Sequence, residues 1–188
     1  MADRVPTRAE ALDLLHRYNA NPSLLAHARA VEATMRHFAR RHGEDEETWG
    51  LIGLVHDLDY EQFPDQHCHK TAEILRAADW PETWVRATLA HGWGICTDVE
   101  PQSALEQTLY AIDELTGFVA ACALVRPSRS VVDLEVKSVR KKWRQASFAA
   151  GVDRTVVERG AARLGVELDE LTAEVIEAMR GVAAELGL

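Results

Sequence analysis

At 188 residues, 47% of them hydrophobic and 27% charged, the chain can bury one core and is short for two domains. Its net charge of −9 opposes binding to a nucleic-acid polymer, which needs a positive face to displace counterions from phosphates. No apolar stretch reaches the roughly 18–20 residues that span a bilayer, and the opening MADRVPTRAEALDLL is charged where a signal peptide is apolar. These features predict one cytoplasmic unit over 1–188 with no membrane association. Cys68, Cys96 and Cys122 are odd in number and form no CxxC pair, which predicts free thiols and suggests neither a disulfide framework nor a thiolate zinc site.

In chain order the pattern is helix after helix. Thr7 and Glu10 form a capping box that opens a helix to about Tyr18. Asn21-Pro22 starts a second, whose Leu24, Ala28, Val31, Met35 and Phe38 recur at steps of three and four until Gly43 ends it. From Glu46 to Leu58 the apolar residues surround the helix almost completely, which predicts a central position, and its last turn reads His56-Asp57. After Pro64, helices are predicted over about Gln66 to Ala78 and Pro81 to His91, before Gly92 and Gly94 break the pattern. Ser103 and Glu106 cap a long helix that carries Asp113 and stops at Arg126-Pro127. Beyond it come Val131-Val132, a segment able to pair as a strand, a basic helix from Glu135 to Arg144, and two helices separated near Gly165. The fold class is all-α, with a core over about 22–126 and basic and C-terminal helices over 127–188.

Eight histidines are present, and their positions carry the argument. His27 lies on the inward stripe of its helix, where a lone imidazole serves either as a satisfied core residue or as a ligand. His56-Asp57 places an imidazole and a carboxylate together at the end of an apolar helix. Burying that carboxylate is costly without a counter-charge, and a divalent cation supplies one. Asp113 poses the same problem in a second helix, between Leu109 and Thr116. Two inward acids from distant helices suggest a shared cation; the alternatives are pairing with Arg or Lys, or an exposed face shared with Glu114. His16, His37 and His42 lie off the inward stripes and read as solvated, and Trp80, Trp84 and Trp93 as packing anchors.

The order of a lone histidine, LVHDLDYE, a histidine near a helix start followed by KTAEIL, then LAHG and YAIDELTG resembles the HD superfamily of metal-dependent phosphohydrolases over about His27 to Val125. The resemblance implies a compact helical bundle and places the family's metal ligands on His27, His56, Asp57 and Asp113. In members with two ions it adds His67 and His91, with His69 competing for the place of His67; Thr71-Ala72 stands where the family usually has Gly-Ala. It implies one or two divalent ions, Mn, Fe, Co, Ni, Zn or Mg, with Asp57 bridging a pair of them. With a single ion, His67 and His91 would act as catalytic groups beside Asp57, holding the phosphate or donating a proton. Asp59 is a candidate supporting residue.

The implied activity is hydrolysis of a small phosphorylated substrate, a phosphomonoester or nucleotide. The alternatives are a di-iron oxygenase, with Tyr18 as a lid, and a non-catalytic metal- or nucleotide-binding module. Seven of the 21 Lys and Arg fall between Arg126 and Arg144. As a group they offer phosphate donors, with Lys137 and Lys141 on one helical face as the predicted substrate-binding pair, against the alternative of a solvated face.

Overall fold

The computed structural model describes residues 5–188, so Met1–Arg4, the start of the charged N-terminus, lie outside the described residues. The Glu10 amide donates to Thr7 Oγ1 while Glu10 Oε2 accepts from the Thr7 amide, and this reciprocal cap starts α1 (Arg8–Tyr18). Asn21 accepts from the Ser23 amide to start α2 (Pro22–His42), which Gly43 ends at φ 69°. In α3 (Glu46–Val55) every residue from Trp49 to Val55 is buried. A Cβ on Gly53 would stand 2.9 Å from Met35 Cγ and 3.1 Å from the Val31 carbonyl, so a glycine there lets α3 press against α2.

A short 3-10 turn (Pro64–Gln66) leads into α4 (His69–Ala77), followed by α5 (Glu82–Ala90) and α6 (Ala104–Leu124). The predicted helix over Gln66 to Ala78 is therefore split. Cys68, at φ 66°, turns the backbone between its two pieces and leaves His67 outside any helix. The predicted Pro81 to His91 helix loses one residue at each end, and α3 stops at Val55, leaving His56 as its cap and Asp57 in the turn beyond.

The remaining helices are α7 (Val136–Trp143), α8 (Arg154–Leu164), α9 (Leu168–Arg180) and α10 (Ala183–Leu186). No strand is present among the described residues. Val131-Val132 forms a turn in which the Leu134 amide bonds the Val131 carbonyl, burying Val131 and exposing Val132, because no neighbouring strand exists to take up its backbone groups.

α3 packs against α1 and α2, α2 crosses α6, and α8 lies along α6. At that last crossing a Cβ on Gly160 would be 2.5 Å from Ala111 Cα, a separation only glycine permits. α9 rests on α2 and α6, and α7 on α6 and α9, so the C-terminal helices bury apolar residues against the same central pair. Each fully buried Leu, Ile or Phe, such as Leu54, Ile112 and Phe118, contributes roughly 1.5–3 kcal/mol of transfer free energy. No described helix is long and apolar enough to cross a membrane.

Candidate metal centre

Five places in the chain meet in one pocket: His27 from α2, His56 and Asp57 from the end of α3, His67 ahead of α4, His91 at the end of α5, and Asp113 from the middle of α6. Asp113 Oδ1 lies 2.9 Å from His27 Nε2 and 3.1 Å from His56 Nε2. Asp57 Oδ2 is 3.4 Å from His56 Nε2 and 4.0 Å from His27 Nε2. Its other oxygen, Oδ1, faces the second pair of rings, 3.2 Å from His91 Nε2 and 3.7 Å from His67 Nε2. Asp57 thus stands between two groups of donors.

The opposite side of each ring explains this aim. His56 and His91 cap their helices, and each Nδ1 donates to a carbonyl three residues back, Gly53 at 2.7 Å and Thr88 respectively. Carbonyls at a helix C-terminus lack intrahelical partners, so the two rings satisfy them and turn Nε2 towards the pocket. His67 Nδ1 bonds Asp59 Oδ1 at 2.9 Å, and the buried Asp59 also accepts from the Thr71 amide at 2.8 Å. Three of the four imidazoles therefore have Nδ1 committed and Nε2 presented, the arrangement that fixes a metal-binding tautomer.

The charges have no ordinary solution. Among the described residues no Arg or Lys pairs with Asp57 or Asp113; every ion-pair partner of either is a histidine. This excludes pairing with Arg or Lys, and the contacts of Asp113 exclude the exposed face. Both side chains are only 16% exposed. Burial lowers the pKa of His56, but the Asp57 and Asp113 carboxylates outweigh it and lift the ring to about 10. Burial likewise lowers His67, and the Asp59 hydrogen bond with the Asp57 charge raises it to about 9. Burial raises Asp57 and Asp113, yet the neighbouring imidazoles hold both well below the usual carboxylate range. The pocket is a negative field that recruits protons, and a divalent cation satisfies the same field more fully.

A test of fit comes from Asp57 Oδ1, which is buried and has no hydrogen-bond partner despite two nearby imidazole nitrogens. Orphaned buried oxygens are uncommon, and this one is in place for a cation. Three clusters have donor atoms within 4.8 Å of one another and could hold a metal: His27, His56 and Asp113; His56, Asp57 and His91; and His67, Cys68 and His91. The nitrogen and oxygen donors among them suit first-row divalent metals.

The pocket opens into a cavity of about 600 Å³ whose wall includes Leu24, Tyr60, Ile95, Tyr110, Glu114 and Asp153. Burial, then the Asp113 charge, pushes Glu114 up to about 7. Asp153 caps α8 through the Thr155 and Val156 amides. None of the described wall residues is Lys or Arg.

Lys137 and Lys141, predicted to bind substrate, fall outside this wall. Lys137 is exposed and paired with Glu135, Arg140 with Asp169, and Arg126 with Asp133, so much of the basic segment is neutralised locally. His69 is exposed and bonds the Cys96 carbonyl, leaving His67 as the ring in the cluster. Tyr18 packs against the core and does not line the cavity. His37 is mostly buried and pairs with Glu174 of α9, contrary to its solvated reading, while His42 is exposed and stacks on Trp49. Trp80 and Trp84 pack edge to face in the core, and Trp93 is held beneath Arg159 and Arg163.

Sequence reasoning passed over Cys68 and Cys96 at this site. It also passed over the Gly53 and Thr88 carbonyls, whose only signal is a histidine directly after an apolar helix in LVH and LAH.

The architecture is a helical bundle with an imidazole and carboxylate pocket at its centre. The family model for the HD domain matches residues 24–117, half of the 188-residue chain, and the chain belongs to the HD domain family. That family has a helical fold, binds divalent metals and consists mostly of metal-dependent phosphohydrolases. No solved structure matches the chain.

Proposed function

We propose that the protein is a metal-dependent hydrolase of a small phosphomonoester or nucleotide, with His27, His56, Asp57, Asp113, His67 and His91 as metal ligands. The observation that carries this reading is the pair of largely buried carboxylates, Asp57 and Asp113, surrounded by four imidazoles and by no Lys or Arg. When bound, a divalent cation supplies positive charge that lowers the pKa of water towards neutrality and offsets charge developing on phosphoryl oxygens.

The chain's own groups do the positioning. Asp57 presents one oxygen to His27 and His56 and the other to His67 and His91. Asp59, Gly53 and Thr88 hold three rings with Nε2 facing the cavity. With one ion bound, His67 and His91 are left to meet the phosphate or protonate the leaving group. Leu24, Tyr60 and Ile95 add apolar surface to the cavity wall.

A wall with Glu114 and no described Lys or Arg offers no side-chain counter-charge to a polyphosphate, which favours a substrate carrying one phosphate. About 600 Å³ is within the usual range for a small-molecule site. Metal analysis of protein purified without an affinity tag, then a phosphatase and phosphodiesterase panel with Mn, Co, Ni, Zn and Mg added back, tests the reading. Bound metal with monoester turnover is expected. Metal-free protein inert on the whole panel, or iron-loaded protein that consumes O₂ instead, would overturn it.

A further inference from the structure

We propose that Cys68 is a thiolate ligand to an ion held by Asp57, His67 and His91, which makes this half of the centre a mixed nitrogen, oxygen and sulfur site for a thiophilic divalent cation such as zinc or cobalt. The inference rests on the metal-centre reading above and adds a ligand and a metal preference to it.

Cys68 is fully buried between the His67 ring and the start of α4. Its Sγ is 3.8 Å from His91 Nε2, and donor atoms of His67, Cys68 and His91 all lie within 4.8 Å of one another. The orphaned Asp57 Oδ1 completes the group, 3.2 Å from His91 Nε2 and 3.7 Å from His67 Nε2. Tetrahedral zinc with Zn–S of about 2.3 Å and Zn–N or Zn–O of about 2.0–2.2 Å requires donors roughly 3.3–3.6 Å apart. The separations of 3.2, 3.7 and 3.8 Å lie near that requirement, so His67, Cys68 and His91 come close to one coordination shell, with Asp57 Oδ1 beside both rings.

Their rings are also held for it, His67 by Asp59 and His91 by the Thr88 carbonyl. Cys96 is the neighbouring thiol: a Cβ on Gly92 would lie 2.3 Å from its Sγ and 2.4 Å from that of Cys68, so the two sulfurs flank one point. Cys96 belongs to none of the metal-capable clusters. A thiolate shifts preference away from Mg, which favours oxygen ligands, and towards Zn and Co. Cysteine spacing hid the site, because Cys68 finds its partners in His67, His91 and Asp57 and in no second cysteine of a CxxC pair.

Full-length protein loaded with cobalt under reducing conditions should show a near-ultraviolet sulfur-to-cobalt charge-transfer band. The band should disappear in Cys68→Ser and persist in Cys96→Ser, and zinc retention against a chelator should weaken in Cys68→Ser alone, by at least the roughly 10–100-fold that loss of a ligand-orienting partner costs. Wild-type protein that binds cobalt without the band, or a band that follows Cys96, overturns the proposal. X-ray absorption at the zinc edge of the wild type reads the same contact without any variant: a sulfur scatterer near about 2.3 Å is expected, and a shell of nitrogen and oxygen alone overturns it. Metal bound without sulfur sinks the thiolate and leaves the proposed hydrolase standing, whereas absence of any metal sinks both.

Discussion

Replacing Asp59 separates the support of the centre from its ligands. The buried carboxylate accepts from His67 Nδ1 at 2.9 Å and from the Thr71 amide at 2.8 Å, so Asp59→Ala leaves two donors without partners. Each such loss costs roughly 1–3 kcal/mol, which places the variant about 3 kcal/mol below the parent. For a chain of this size that is roughly 6–12 °C in Tm. The His67 ring also loses the hydrogen bond that helps raise its pKa, so its titration in metal-free protein should move down from about 9. Loss of a group that orients a ligand typically weakens metal binding about 10–100-fold. That loss should fall on the ion held by His67 and His91, while the position held by His27, His56 and Asp113 stays occupied. Thermal melts, histidine NMR titration and stepwise metal titration measure the three effects. Unchanged retention of the second ion, or equal loss of both, would refute the assignment of Asp59 to His67.

Metal-free protein should lose stability as pH rises. His56 and His67 are raised to about 10 and about 9, so the stability from their protonated rings is full below the unfolded value of 6.5 and is lost through 9–10. Metal-loaded protein should resist this fall, since deprotonation aids ligation, and melts of both forms at about pH 6.5 and 9.5 compare them. Asp57→Ala should abolish metal uptake with helical circular dichroism largely retained, and full occupancy would remove the basis of the site. His67→Ala should retain one ion and lose most turnover, whereas His69→Ala should keep both; the reverse would move the ligand by two residues. Lys137→Ala with Lys141→Ala should leave KM and kcat within about twofold, because neither residue lines the cavity; a clear rise in KM would return the basic helix to substrate binding.

Much of the centre was legible along the chain. Capping boxes at Thr7 and Ser103 and the apolar periodicity of α2 and α6 locate the central helices, since these signals act within a few residues. The inward positions of His27, His56-Asp57 and Asp113 follow from the same periods, and the motif order names the family. The boundaries around His67 were not legible, because Cys68 breaks the helix with a left-handed φ of 66° that no Gly or Pro announces. Val131-Val132 has the composition of a strand, but a strand needs a partner, and only the arrangement of distant segments decides whether one exists.

Side-chain direction divides the remainder. Sequence determined most of the inward positions along the helices, a property of the 3.6-residue repeat, although His37, read as solvated, is mostly buried against Glu174. Only the tertiary structure decided that the His67 ring is turned by Asp59, that Asp57 Oδ1 is left without a partner, that Cys68 stands beside His91, and that Lys137 and Lys141 fall outside the cavity wall. Those outcomes depend on where separate helices cross, because a carboxylate or thiol is satisfied by whatever the packing of other elements brings within about 3–4 Å, and no local pattern encodes that distance.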